Sequence, residues 1–188
     1  MIILGIDPGS RKAGYGVLEQ SGKNIKYLGS GVISCEHIQE FIYRPAHIFN
    51  EFKLIIEKYR PDCVALESLV YVKNVSSLAK LSQARGAALA AMGESYRGKL
   101  FEYSPNLIKS TVTGHGHADK SGIEKVLQML LGPIEYKTHD ESDALAIALC
   151  HALHGSSGRV PMLGEKKGQR SGQGLKASLA HKVIASKS

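Results

Sequence analysis

The chain has 188 residues and a formal net charge of +7, a length that supports one domain with a substantial core plus a tail and excludes two full domains. The charge is uneven. Residues 155–188 hold Arg159, Lys166, Lys167, Arg170, Lys176, Lys182 and Lys187 against Glu165 alone, so +6 of the whole-chain +7 lies there and +1 is left for the body. The pI near 9.3 therefore does not establish a general anion-binding surface. The chain divides into a folded domain over 1–154 and a basic Gly-, Ser- and Lys-rich tail over 155–188 that is expected to be disordered. Cys35, Cys63 and Cys150 form no CxxC pair and are odd in number, which points to reduced thiols and not to a disulfide framework or a zinc ribbon. The first apolar run is cut by Asp7, too early for a signal peptide, and no later run approaches membrane length. The expectation is a soluble, cytoplasmic protein with no membrane partner.

In chain order, Ile2 to Ile6 reads as a strand buried on both faces, with Asp7 at its carboxyl end and Pro8-Gly9 turning the chain. Ala13 to Leu18 reads as an antiparallel return strand whose Gly14 and Gly16 leave room near Asp7 for something bulky, such as a phosphate. Asp7 closing an Asx turn before Pro-Gly is the plainer reading of the same stretch. Ile25 to Ser34 completes a three-strand meander. Ile48, Phe52, Ile55 and Tyr59 then recur at helical steps, predicting a helix over 46–59 that stops before Pro61. Cys63 to Leu66, reached through that crossover, predicts a strand parallel to a central one and delivers Glu67 to its carboxyl end. A long alanine-rich helix is predicted over 75–96, a short strand over 100–103, and a helix from Ser104-Pro105 toward Val112. Further helices are predicted over 119–131 and 140–153. The order predicts an α/β fold with a five-stranded mixed sheet covered by helices on both faces.

In the last helix Asp140 and Asp143 lie three residues apart and share a face. An ordinary acidic first turn, compensated by the helix macrodipole, explains the pair without any function. Asp7 and Glu67 at strand ends add two more carboxylates, and four together suit a hard divalent cation, magnesium or manganese over zinc.

Gly5-Ile-Asp-Pro-Gly-Ser10 with Gly14-Tyr-Gly16, Leu66-Glu-Ser68 with Lys73-Asn74, Gln83-Ala-Arg-Gly86, Gly114-His-Gly116 with Ala118-Asp-Lys120, and Asp140-Glu-Ser-Asp-Ala-Leu-Ala-Ile147 together resemble the bacterial RuvC family of Holliday-junction resolvases. Each motif is weak alone, but their joint order over most of 1–154 is specific. The resemblance implies a ribonuclease H-like fold, a homodimer, and magnesium-dependent endonuclease action on four-way junction DNA. It makes Asp7, Glu67, Asp140 and Asp143 the catalytic, metal-holding acids. Two ions about 3.5–4 Å apart suit phosphodiester hydrolysis, with Mn2+ able to replace Mg2+. Lys109 and Lys120 would approach the scissile phosphate, against the alternative of solvated helix lysines. A branch-migration motor of the RuvAB type is the implied partner.

Where the family often carries an aromatic three residues after the glutamate, this chain has Val70, followed by Tyr71. Tyr71 is therefore a candidate to stack on a base, with core packing as the alternative. Lys73, Lys80 and Arg85 are candidate phosphate contacts, with a solvated helix face as the competing view for Lys80. His139 is a weaker metal candidate than Asp140, and His115 and His117 lack a third ligand nearby in sequence. Three other functions stay in view. An ATP-dependent phosphotransferase of the actin-like superfamily needs two such domains. A resolvase-like RNA-processing nuclease does not call for the alanine-rich helix. A non-catalytic junction-binding protein would be weakened by four carboxylates near a polyanion.

Overall fold

The computed structural model describes residues 1–69, 74–114, 120–136 and 138–155. Strands β1 (Ile2–Asp7), β2 (Lys12–Ser21), β3 (Asn24–Ser34), β4 (Cys63–Glu67) and β5 (Leu100–Tyr103) form one sheet in the order β3-β2-β1-β4-β5. The first three are antiparallel, and β4 and β5 run parallel to β1. Helices α1 (Arg44–Tyr59) and α2 (Val75–Met92) cover one face, while α3 (Pro105–Thr113), α4 (Lys120–Leu131) and α5 (His139–Gly155) cover the other. The mixed sheet with helices on both faces is the architecture expected from the element order. Among the described residues no helix is long and apolar enough to cross a membrane.

Strand side chains alternate between faces, which divides the core in two. Leu4, Ile6, Val17, Val64 and Leu66 point toward α1 and α2 and bury Ile48, Phe52, Ala84 and Ala88 beneath them. Ile3, Leu18, Cys63, Ala65 and Tyr103 point toward α5. That helix is apolar all round because the sheet lies under it and α3 and α4 close its outer side, so every residue from Ala144 to Ala152 is buried. Gly5 shares the α5 face with Gly14 and Gly16, and the register pairs Gly5 with Gly16 and Asp7 with Gly14. A Cβ built on Gly5 would fall 2.2 Å from the Ala144 carbonyl oxygen, one on Gly14 2.0 Å from the Asp140 carbonyl oxygen, and one on Gly16 2.8 Å from the Leu145 side chain. The three glycines are the floor on which α5 rests. The space that the small residues of β2 leave near Asp7 is thus filled by helix backbone and not by a phosphate.

One further expectation is corrected. The predicted long helix stops at Met92 because Gly93, at φ 60°, turns the chain into a short 3-10 turn over Glu94–Tyr96. The alanine-rich helix could have turned Ala88 either to a second subunit or to its own sheet; Ala88 is 1% exposed and packs inside its own subunit.

Gly5→Ala is expected to destabilise the fold by about 1–3 kcal/mol, because the added methyl meets backbone on both sides and neither α5 nor β1 has room to withdraw. Urea denaturation checks this: a midpoint unchanged from the parent chain would contradict the close seating of α5.

Candidate active site

Asp7 and Glu67 each follow the last apolar residue of a central strand. Ile6 pairs with Leu66 in the parallel β1–β4 ladder, so the next residues, Asp7 and Glu67, stand side by side at the carboxyl edge, on strands about 4.8 Å apart. Both belong to the face that carries α5. The first turn of α5 supplies Asp140 and, one turn on, Asp143. Asp140 lies over Gly14, which is itself the register partner of Asp7, so the helix enters directly beside the end of β1.

Asp7, Glu67 and Asp143 line one cavity of about 250 Å³, together with Lys109 from α3 and apolar walls that include Ile108 and Ile123. The structure thus brings together three of the four expected acids and one of the two expected catalytic lysines. Asp140, whose backbone lies against Gly14, does not line it. Among the described residues no three His, Cys, Asp or Glu side chains are grouped around a single point as they would be around an ion. The donor set still fits a hard cation: it is oxygen-only, crowds like charges at the end of a sheet, and surrounds a space that admits ions with their waters.

Other candidates are placed elsewhere. His139 is exposed and its Nδ1 is 3.1 Å from Glu124 Oε1; Ser142 also donates to Glu124 Oε1, at 3.4 Å, so this group ties the start of α5 to α4. Arg85 is not a surface phosphate contact. It is 6% exposed, donates through one nitrogen to the Glu67 carbonyl oxygen at 2.7 Å, and pairs through another with Glu102 Oε1 at 2.8 Å. A buried guanidinium needs such partners, and these two buttress the strand end that carries Glu67. Lys80 is exposed on α2, with its Nζ 5.7 Å from the centre of the Phe41 ring. Tyr71, Lys73 and Val70, the His115–His117 loop and the tail lie outside the described residues, as does the side chain of Lys120, the first residue of α4.

A five-stranded mixed sheet with this order, acids at the ends of its central strands, and a further acidic pair on the helix across them define the ribonuclease H-like class. The family model for crossover junction endodeoxyribonuclease RuvC matches residues 3–151, and the chain belongs to that family. The chain is 41% identical over 152 residues to the crossover junction endodeoxyribonuclease RuvC of Geobacter sulfurreducens, covering 81% of this chain and 92% of that one. It is 44% identical over 151 residues to the protein of the same name from Pasteurella multocida, covering 80% and 78%. Among solved structures, Thermus thermophilus RuvC in complex with a Holliday junction substrate superposes with a TM-score of 0.80 at 30% identity, covering 87% of this chain and 99% of that one.

One buried polar group escaped the reading of the sequence. His151, deep in α5 and 3% exposed, bonds through Nδ1 with the Tyr103 hydroxyl at 2.8 Å and contacts Cys63 Sγ through Nε2 at 3.2 Å. Its place in an otherwise apolar run, Ala144 to Leu153, was the available signal. Burial, and secondarily the charge of His154, lower its pKa from 6.5 to about 4. The folded chain therefore holds the neutral ring where the unfolded chain takes up a proton. Its contribution to stability is complete above pH 6.5 and is lost as pH falls toward 4, by about 3 kcal/mol in all. Urea denaturation across pH 7.5 to 4.5 is expected to show this extra loss in the parent chain and not in His151→Gln. Parallel pH dependences for the two would contradict it.

Proposed function

We propose that this chain is a structure-selective endonuclease that resolves four-way DNA junctions in recombination and repair by metal-dependent hydrolysis of phosphodiester bonds. The observation that carries the reading is the cavity shared by Asp7, Glu67, Asp143 and Lys109, in a chain that belongs to the RuvC family. The Thermus thermophilus relative bound to a Holliday junction supports the substrate. Family membership does not favour a phosphotransferase, an RNA-processing nuclease or a non-catalytic binder.

Asp7, Glu67, Asp140 and Asp143 would hold Mg2+, two ions per site, with Mn2+ as a substitute. Bound there, such ions supply a water made nucleophilic at neutral pH and neutralise the charge growing on the leaving oxygen. The acids do not attack; they fix where a phosphate oxygen and its attacking water meet. Lys109, reaching the same cavity from α3, presents a cation to the scissile phosphate, where it favours the more negative transition state. Lys120 is assigned the same role. Tyr71 would stack on a base at the crossover, and Lys73 and the exposed Lys80 would contact backbone phosphates. The domain over 1–154 would act with a basic tail that adds affinity without structure selectivity. A RuvAB-type branch-migration complex in the cytoplasm would be its partner.

Two equivalent strands must be cut, which suits a two-fold homodimer. With Ala88 committed to the core, the outer face of α2 is the contact we favour. Ala79, Gln83, Gly86 and Ala90 lie exposed along it at spacings of four, three and four, and a Cβ on Gly86 would meet nothing within 4 Å.

Asp7→Asn, Glu67→Gln, Asp140→Asn and Asp143→Asn are each expected to keep four-way junction binding and to lose cleavage by at least about a hundredfold, the upper end of what removing a mere outer partner of a metal ligand costs. A synthetic junction cleaved at the parent rate by two or more of them would overturn the site. Gly86→Glu is expected to sediment as a folded monomer that fails to make paired cuts, because an unpaired charge at a close interface is costly. A Gly86→Glu dimer with normal paired cutting would exclude this face.

A further inference from the structure

We propose that His151 is a positioning residue that sets how far along β4 the helix α5 lies, and so where Asp143 stands relative to Glu67. The proposal rests on these acids forming the active site. The glycine floor determines how closely α5 approaches β1 and β2, and it does not reach β4. Most residues of α5 facing the sheet are small or aliphatic, and such contacts are non-directional; Gln20 Nε2, donating to the Ala152 carbonyl oxygen at 2.9 Å, and Ser30 Oγ, donating to Glu141 Oε2 at 3.1 Å, tie α5 to β2 and β3, on the side of β1 away from β4. The hydrogen bonds of His151 are directional, and both join α5 to the strands that frame Glu67. Cys63, 3.2 Å from Nε2, is the first residue of β4, and Glu67 is its last. Tyr103, bonded to Nδ1, is the register partner of Glu67 on β5. In either neutral tautomer one ring nitrogen donates and the other accepts, so both contacts are kept. The Phe101 ring, with its centroid 4.5 Å from that of His151, holds the imidazole from the side.

The lengths agree with this role. Eight helical residues from Asp143 to His151 span about 12 Å, and four extended residues from Cys63 to Glu67 span about 13 Å. From one shared contact, helix and strand thus measure off comparable distances, and Asp143 and Glu67 line the same cavity at the other end. A slide of one residue along α5 would carry Asp143 about 1.5 Å, a displacement that costs on the order of a hundredfold where reacting groups are concerned.

The test compares His151→Leu, which loses both polar contacts, with His151→Gln, which keeps a donor and an acceptor. Mn2+ binding to the DNA-free protein is followed through the EPR signal of the free ion, alongside single-turnover cleavage and metal-free junction binding. His151→Leu is expected to remain folded by circular dichroism, bind junctions as the parent does, bind Mn2+ roughly tenfold more weakly, and cleave roughly tenfold or more slowly at saturating ion. His151→Gln is expected to recover most of both. If His151→Leu does not fold, the double variant Cys63→Ala with Tyr103→Phe removes the same two contacts around an intact ring, and a weaker shift in the same direction is expected. A folded variant with lowered melting temperature but unchanged Mn2+ affinity and cleavage rate would show that His151 is only a core residue and overturn the proposal. If instead the parent chain binds Mn2+ but cuts no junction, the proposed function fails, while the Mn2+ comparison still decides the role of His151.

Discussion

The contact between α5 and the glycines of β1 and β2 is the constraint on which the rest of the molecule depends. A helix normally stands off a sheet by the thickness of the side chains packed between them. Here Gly5, Gly14 and Gly16 remove those side chains, and the backbone of Asp140 and Ala144 occupies the positions their Cβ atoms would take. Asp143, one turn into the helix, thereby lines the same cavity as Asp7 and Glu67.

The same contact explains how the fold tolerates several carboxylates at one edge. Carboxylates at neighbouring strand ends repel, and that repulsion costs stability. Against that repulsion stands a helix buried on every side from Ala144 to Ala152, whose apolar burial the edge cannot undo. Arg85 adds a buried cation behind Glu67, bonded to its carbonyl oxygen and to Glu102. Charge that opposes folding is thus concentrated at one edge, and the structure behind that edge is mostly apolar, joined by the directional bonds of Arg85.

Much of this was legible in the sequence, for identifiable reasons. The apolar runs Ile2–Ile6 and Cys63–Leu66 are each followed by an acid, and the step of three between Asp140 and Asp143 places them on one helical face, so periodicity put each acid at an element end, while their grouping as one site came from the resemblance of the motifs to a family. Periodicity could not say what covers a surface. Gly14 and Gly16 signalled open space, but only the packed helix shows that α5 fills it. Arg85 and Ala88 lie on a helix with small residues on several faces, and nothing in such a pattern distinguishes the side turned to α1 and the strand ends from the side turned outward. His151 was passed over because one histidine in an apolar run carries no motif; its meaning comes from Cys63 and Tyr103, which are distant in sequence.

The central claim is that the glycine-seated helix makes one cation site from Asp7, Glu67, Asp140 and Asp143. Anomalous diffraction from crystals grown with Mn2+ tests it most directly. The account predicts manganese peaks between the ends of β1 and β4 and the first turns of α5, with the four carboxylates as ligands. Ordered manganese elsewhere, with these carboxylates uncoordinated, would contradict it.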